Sequence, residues 1–280
     1  MTMPPRRHTG LMDPAGRYGL SDHACWAYDS ESERAAVATA WIADGLALGQ
    51  RTMYLADGSV EVLTQELAGL PGRDEAIAGG ALVVAATSSM YDLSRPIDAT
   101  AQLAGYSAAV ELAVRDGFAG IRVAVDITPL VADPGRRRAH LHWEQFADRY
   151  ITEQPLAPLC LYDRRKVGEL PAIEHVHPLN GPDPLPFSLY GVGARRSALV
   201  GEVDAAVADP FAAALAALPD HDDTIDVGAL AFIDAHGAWV LQRALERRRA
   251  TGRALVLHEP SLPLRRVWEL CRFDPTPLLG

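Results

Sequence analysis

The sequence predicts two α/β domains, a larger one on a parallel sheet and a smaller C-terminal one with a mixed sheet. Short apolar runs alternate with helical stretches through the first 180 residues or so. The runs are apolar on both faces, which is typical of parallel strands covered by helices on each side. A proline-rich stretch then interrupts the pattern, and a length of 280 residues is sufficient for two domains.

The predicted elements of the first domain begin at residue 21. Ser30 followed by Glu33 is a capping box that opens the first helix, and Gly49 ends that helix. Apolar runs predict strands at 23–28, 51–56, 81–86, 121–127 and 159–162. Helical periodicity predicts helices at 30–49, 60–70, 97–115, 136–153 and 164–175.

Prolines mark the predicted domain boundary. Prolines at 178, 182, 184 and 186 exclude a helix and a central strand, so residues 178–186 are the predicted linker. The first domain then spans residues 21–177 and the second domain spans 187–280. Residues 1–20 include basic residues but lack the apolar segment of a secretory signal, and we expect a flexible arm there.

The second domain has a different order of elements. Predicted strands at 187–191 and 198–203 form a hairpin, and an Ala-rich helix follows at 210–218. A strand from Thr224, a tight loop at 232–234 and a helix opened by Ala235 come next. A strand at 254–258 and a helix at 261–273, with Ser261 as N-cap, close the chain. On the helix after Ala235, Trp239 lies opposite the apolar face that contains Leu241 and Leu245.

Composition excludes several classes of function. A net charge of −10 argues against nucleic acid as a direct partner, because phosphate binding needs a basic face. No apolar run is long enough to span a membrane, so no membrane partner is expected. The three cysteines are scattered, which favours a reduced, cytoplasmic protein without a disulfide framework.

The chain also lacks the common catalytic and cofactor motifs. Lys166 is the one lysine, and no Gly-rich phosphate loop precedes it. No GxSxG motif supports a serine nucleophile. His140, His142 and Glu144 fall on different faces of a predicted helix and lack a fourth ligand, so no metal is expected. We therefore predict no cofactor and no enzymatic activity.

Three motifs of the C-terminal part follow one another in a recognisable order. They are Val200-Gly201-Glu202-Val203-Asp204, Phe232-Ile233-Asp234-x-x-Gly237, and Leu257-x-x-Pro260-Ser261-x-x-x-Arg265-Arg266-Val267-x-Glu269-Leu270. From Phe187 to Phe273 the chain resembles a STAS domain, the fold of bacterial anti-sigma factor antagonists. The resemblance implies binding to an anti-sigma factor or a related kinase-like regulator.

The first domain carries many short matches to a second family. They are Asp22-His23-x-Cys25-x-x-Tyr28, Gly45-Leu46-x-x-Gly49, Tyr91, Arg122-x-x-x-Asp126, Trp143-Glu144, Cys160-x-Tyr162-Asp163-Arg164-Arg165 and His177-Pro178. Residues 21–180 or so resemble the MEDS family, a sensory domain of regulators in methanogens, methylotrophs and many actinobacteria. The resemblance implies a RecA/KaiC-like parallel sheet domain that has no P-loop.

Polar residues gather at the predicted strand ends of the first domain, where open α/β sheets bind ligands. The candidate ligand-binding residues are His23, Tyr28, Asp126, Glu144, Tyr162 and His177. They predict a small-molecule pocket with a few convergent polar groups. The alternative is a buried hydrogen-bond network that holds the strand ends together.

The loop that ends at Asp234 supplies the candidate partner-binding residues Asp234, Ala235, His236 and Trp239. In STAS domains the residue after the loop Asp is a phosphorylated Ser or Thr, and here it is Ala235. The prediction is a signalling protein that couples a sensory domain to a STAS output domain without a phosphoacceptor. The alternatives are a scaffold that assembles complexes or homo-oligomers without a ligand, and a residual nucleotide-binding enzyme.

Overall fold

The computed structural model describes residues 7–168, 172–221 and 224–278, and the chain divides into two compact units. Unit 1 comprises Met1–Trp143, Glu153–Glu169 and Leu179–Pro184. Unit 2 comprises Glu144–Thr152, Leu170–Pro178 and Leu185–Gly280. The predicted α/β fold class with a larger and a smaller sheet is confirmed.

Unit 1 is built on one seven-stranded sheet in which all pairs are parallel. Its strands are β1 (Gly10–Leu11), β2 (Ala24–Tyr28), β3 (Arg51–Ala56), β4 (Leu82–Ala86), β5 (Ile121–Asp126), β6 (Leu156–Asp163) and β7 (Leu179–Gly181). The order across the sheet is β1-β7-β2-β6-β5-β3-β4. Strands β2, β5 and β6 are buried along their whole length, which explains their continuous apolar runs.

Helices connect these strands. They are α1 (Glu31–Ala47), α2 (Val60–Glu66), α3 (Arg73–Ala78), α4 (Ala99–Arg115), α5 (Thr128–Val131), α6 (Pro134–Ile151) and α7 (Arg164–Val167). The Ser30 hydroxyl accepts a hydrogen bond from the Glu33 amide at 3.2 Å, so the predicted cap is confirmed. The buried face of α1, with Ala38, Trp41 and Ile42, packs into the core cluster of the unit.

The N-terminal part differs from the predicted flexible arm. Residues Gly10–Leu11 form β1 beside β7, and the Met12 amide donates to the Asn180 carbonyl at 2.7 Å. Tyr18 is buried, with its ring centroid 5.4 Å from that of Trp41. A strand of two residues has no periodicity in the sequence, and this pairing is set by contacts with distant residues. Residues 1–6 of the predicted arm lie outside the described chain.

The predicted proline-rich linker also contains a strand. Strand β7 occupies the three residues between Pro178 and Pro182, and it pairs with both β1 and β2. Prolines flank this strand and do not interrupt it, so its amides remain available to the sheet. The predicted helix at 164–175 is shorter: α7 ends at Val167, because Gly168 after it has a φ of +62°, which does not continue a helix. Residues 169–171 of that prediction lie outside the described chain.

Unit 2 is built on a smaller mixed sheet. Its strands are β8 (Phe187–Gly193), β9 (Arg196–Val203), β10 (Thr224–Asp226), β11 (Leu230–Ile233) and β12 (Val256–His258), and its further helices are α8 (Ala208–Ala216), α9 (Ala235–Ala250) and α10 (Leu262–Leu270). The predicted hairpin is confirmed, because β8 and β9 pair antiparallel. The loop predicted at 232–234 is shorter, since Phe232 and Ile233 belong to β11.

Strands β10 and β11 share one edge of β9. Strand β8 pairs with residues 196–201 of β9 on the other edge, and β10 and β11 pair with residues 196–198 and 201–203 of β9 respectively. Both are parallel to β9, so together they form one strand interrupted at Val227–Ala229. Because of this interruption, β10 ends at Asp226, between β9 and β12.

Unit 2 includes residues that precede its sheet in the chain. The side-chain amide of Gln145 donates to the Leu189 carbonyl at 3.1 Å, and the backbone amide of Gly191 donates to Asp148 Oδ2 at 2.5 Å. The Arg149 guanidinium donates to the Ser197 hydroxyl. All three polar side chains are buried, so the second half of α6 is part of the interior of unit 2.

Candidate functional site

The carboxyl end of β5 in unit 1 carries a buried carboxylate, Asp126. Its Oδ2 accepts hydrogen bonds from the Tyr28 hydroxyl at 2.9 Å and from Arg34 Nη1 at 2.8 Å. Its Oδ1 accepts from the Thr128 amide at 3.0 Å. Tyr28 ends β2, so the structure brings together two predicted ligand-binding residues from different strands of the sheet.

Arg34 extends this arrangement to a second carboxylate. The side chain is buried, and its Nη2 donates to Glu66 Oε1 at 2.6 Å. The other oxygen of Glu66 accepts from the Tyr54 hydroxyl. Within the described residues, the Nε of Arg34 has no hydrogen-bond partner. We call Tyr28, Arg34, Tyr54, Glu66 and Asp126 the Arg34 network.

Tyr28, Arg34 and Tyr54 of this network have raised pKa values. Burial raises the pKa of Tyr28 well above its usual range, and the negative charge of Asp126 adds to that effect. Burial alone would lower the pKa of Arg34, but Tyr54, Asp126 and Glu66 outweigh it and the net shift is upward. The network therefore holds a neutral Tyr28 and a charged Arg34 across the whole ordinary pH range.

Two further predicted residues of unit 1 lie in other contacts. His23 precedes β2, and its Nε2 lies 3.6 Å from the sulfur of Cys160 on β6. The hydroxyl of Tyr162, also on β6, lies 3.2 Å from Nε2 of His140 on α6. His23, Cys160 and Tyr162 are all buried. These contacts connect two side chains of β6 to His23, which precedes β2, and to His140 on α6.

The remaining two predicted ligand-binding residues, Glu144 and His177, form a pair inside unit 2. His177 Nε2 lies 3.5 Å from Glu144 Oε2, and both side chains are buried. The Nδ1 atom of His177 lies 2.8 Å from the Ile173 carbonyl, which can only accept. Because Nδ1 thus carries a proton, Nε2 has the lone pair in the neutral ring.

The loop between β11 and α9 carries the predicted partner-binding residues of unit 2. Asp234 is the N-cap of α9, and its Oδ1 accepts from the Gly237 amide at 2.7 Å. Its Oδ2 accepts from the Ala205 amide at 2.9 Å. At position 237 a Cβ would lie 2.7 Å from Val203 Cγ1, so this close approach of α9 to β9 requires glycine. Ala235 is exposed on the first turn.

An exposed aromatic group lies next to this loop. Trp239 is 51% exposed, whereas Ala238, Leu241 and Leu245 on the other face of α9 are buried. The ring of His236 contacts the Trp239 ring edge-on, with centroids 6.3 Å apart. The Arg243 guanidinium lies over the Trp239 ring, 5.4 Å from its centroid. We call Asp234, Ala235, His236, Trp239 and Arg243 the α9 surface.

Comparison with known families now identifies the chain. Residues 22–178 match the family described as MEDS, the methanogen/methylotroph, DcmR sensory domain. The chain belongs to the MEDS family. Residues 195–280 match the family described as Mlab, STAS domain, so a STAS domain follows the MEDS domain. No curated protein matches the chain.

The combination of MEDS and STAS domains is that of a signalling or regulatory protein, and the STAS domain indicates an interaction with regulatory partners. None of the helices described combines the length and apolar character needed to cross a membrane. Both resemblances predicted from the sequence are thereby confirmed.

Sequence reasoning missed Arg34, Tyr54 and Glu66 in the MEDS domain. A signal for Arg34 existed, because it occupies the same face of α1 as Ala38 and Trp41, which are apolar and buried. A basic residue on an apolar helix face predicts a buried partner of opposite charge. Glu66 gave no such signal, since it ends a short helix in a polar stretch.

Proposed function

We propose that the chain is a regulator whose STAS domain binds an anti-sigma factor or a related kinase-like protein through the α9 surface. The observation that carries this proposal is the half-exposed Trp239, which lies one turn after the Asp234 cap and under Arg243. Tryptophan and arginine are the residue types that most often contribute the largest share of binding energy in protein interfaces. The rigid cap at Asp234 supports the same proposal, because it holds the first turn in place.

The proposal includes a STAS domain that is not switched by phosphorylation. The resemblance assigns the phosphoacceptor to the position after Asp234, and Ala235 has no hydroxyl. His236 is the next residue and is no hydroxyl acceptor either. In a STAS domain with a hydroxyl here, a phosphate would add about two negative charges to the surface and repel the partner. In this chain the control would pass to the MEDS domain.

For the MEDS domain we propose the sensing of a small molecule by its buried polar strand-end residues. His23 and Tyr162 support this, because both are buried polar side chains on or beside central strands. A compound that raises the melting temperature in a saturable way should lose affinity in Tyr162→Phe. If the wild-type chain and Tyr162→Phe bound every stabilising compound with equal affinity, this role of Tyr162 would be contradicted.

The scaffold alternative is favoured by one observation, the Arg34 network. Tyr28 and Asp126 bond to each other and to Arg34, so these two predicted ligand-binding residues already have partners in the protein. We also propose that the chain is not an enzyme, because the network places Asp126 at a strand end and Glu66 at a helix end with no Gly-rich loop for phosphates. Saturable ATP binding in calorimetry would contradict this.

The experiment for the α9 surface uses a partner captured by the chain from its native host. Trp239→Ala should weaken binding of that partner by at least about 2 kcal/mol, which is thirtyfold in Kd. The matched control is Leu270→Ala, an 81% exposed side chain on α10 of the same domain. The Leu270→Ala variant should bind the partner with the affinity of the wild-type chain. Equal affinity of both variants would refute the proposal that the α9 surface binds the partner. Transfer of phosphate from ATP to residue 235 or 236 would refute the proposal that this STAS domain is not switched by phosphorylation.

A further inference from the structure

A cluster of potential metal ligands in the STAS domain includes none of the α9 surface residues. Asp226 ends β10 and His258 ends β12, and the two are register partners in neighbouring parallel strands. Glu259 follows His258 directly. One ligand atom from each of the three residues lies within 4.8 Å of the other two. The cluster lies at the carboxyl ends of the neighbouring strands β10 and β12, next to the interruption between β10 and β11.

The imidazole of His258 is the second observation that points to a ligand. Its Nδ1 is shielded from solvent and has no hydrogen-bond partner within the described chain. Asp226 Oδ2 is the nearest opposite charge, at 3.6 Å, which is too long for a hydrogen bond. The His258 side chain as a whole is 42% exposed, so the shielding concerns Nδ1 alone. A shielded ring nitrogen without a partner costs free energy, and a metal ion between the two atoms would remove that cost.

The remaining contacts of the cluster leave this position open. Asp226 Oδ1 accepts from the Gly228 amide at 3.0 Å, which orients the carboxylate and leaves Oδ2 directed towards His258. Arg196 Nη2 lies 3.7 Å from Oδ2, but its side chain is half exposed and can turn into solvent. A Cβ at position 228 would lie 3.1 Å from Glu259 Oε2 and 3.4 Å from Asp226 Oδ1. Glycine at 228 therefore keeps the space between the carboxylates clear.

We propose that Asp226, His258 and Glu259 bind one divalent transition-metal ion of the zinc class. An imidazole nitrogen with two carboxylate oxygens is a donor set that Zn²⁺ accepts, whereas Mg²⁺ and Ca²⁺ prefer oxygen ligands alone. Three protein ligands leave a further coordination position, which water or a partner side chain can fill. The site does not depend on the function proposed for the α9 surface.

Calorimetric titration of ZnCl₂ into the full chain, stripped with EDTA and dialysed, tests this site. The wild-type chain should bind one equivalent at these residues, and His258→Ala should lower the affinity at least about tenfold. Glu259→Gln should weaken binding in the same direction and provides a second test if His258→Ala is poorly folded. Titration with MgCl₂ should give no comparable heat.

Two controls separate this site from other ligands in the chain. His221→Ala removes an exposed histidine of the same unit and should leave the affinity unchanged. Co²⁺ bound at the site should lack the thiolate charge-transfer absorption that a cysteine ligand would produce. No binding by the wild-type chain would overturn the proposal. Equal affinity of wild type, His258→Ala and Glu259→Gln would also overturn it, as would a thiolate spectrum.

Discussion

At the residue scale, one side chain of the MEDS domain, Arg34, pairs with two carboxylates, Asp126 and Glu66. Arg34 is the only cation in contact with Asp126 and Glu66 among the described salt bridges of these two carboxylates. Asp126 is buried, and Glu66 is largely so. Removing one partner of a buried ion pair leaves an uncompensated charge, which is much costlier than the pair itself is stabilising.

Arg34→Met should therefore destabilise the protein strongly. It keeps the volume of the side chain but leaves two carboxylates without their cation, and we expect a loss of about 3–5 kcal/mol in the free energy of unfolding. Urea denaturation followed by circular dichroism measures this. Arg95→Met is the control, because Arg95 is exposed and pairs with Asp92, which is exposed as well. A loss no larger than that of the control would contradict the role of Arg34.

A second residue-scale prediction concerns pH and His175 in unit 2. Burial lowers the pKa of His175, and its hydrogen bond with the Phe187 carbonyl at 2.7 Å opposes this only in part. A lowered pKa means that the unfolded chain binds more protons, so stability is full above the ordinary histidine pKa of about 6.5 and falls as the pH drops below it.

His175→Gln should make the unfolding free energy less dependent on pH between about 7 and 5, because one titrating group of the unfolded chain is removed. Urea denaturation at several pH values gives the two slopes. Exposed His221 provides the comparison, and His221→Gln should keep the wild-type slope. A slope that His175→Gln leaves unchanged would exclude this histidine as the source.

At the element scale, helices α9 and α10 of the STAS domain begin in different ways. The N-cap of α9 is Asp234, whose carboxylate accepts from the amides of Gly237 and Ala205. The N-cap of α10 is Ser261, whose side chain makes no capping hydrogen bond, and its hydroxyl is buried without a partner in the described chain. The sequence predicts a cap at both positions, but only Asp234 uses its side chain.

These two caps should respond differently to the same change. Asp234→Ala should lower the free energy of unfolding by about 1–2 kcal/mol, because two backbone amides lose their acceptor. Ser261→Ala is the matched control and should be neutral or slightly stabilising, since a buried hydroxyl without a partner is removed. Thermal and urea unfolding measure both. Similar losses in the two variants would show that the side-chain cap of α9 contributes little.

At the scale of the whole molecule, the compact units do not follow the order of the chain. Residues 144–152, most of them on α6, and the segment that ends at Pro178 belong to unit 2, although they lie before the second domain predicted from the sequence. The stacking of His175 on Phe187, with ring centroids 4.0 Å apart, is one contact that depends on them. A STAS domain cut at residue 187 would therefore lack part of its own interior.

A fragment of residues 187–280 should be less stable than unit 2 is in the full chain. It exposes Leu189 and Gly191, whose backbone groups bond to Gln145 and Asp148, and leaves Ser197 without Arg149. We expect a lower melting temperature and faster cleavage by protease. A fragment that begins at residue 134 restores α6 and is the control. Equal melting temperatures of both fragments would contradict the contribution of these contacts.

The sequence by itself determined the class of the fold, most of its elements and the two families. Capping residues such as Ser30 and Asp234 and the apolar runs of β2, β5 and β6 act within a few residues, so they can be read locally. The exposed face of α9 with Trp239 followed from helical periodicity in the same way.

Only the tertiary structure decided which distant groups meet. The pairing of β1 with β7, the position of Arg34 between Asp126 and Glu66, and the place of α6 residues in unit 2 all join segments far apart in the chain. Such contacts depend on how strands are ordered in the sheet, which no local pattern encodes. The proximity of Asp226 and His258 has the same origin, because it arises from the register of β10 with β12.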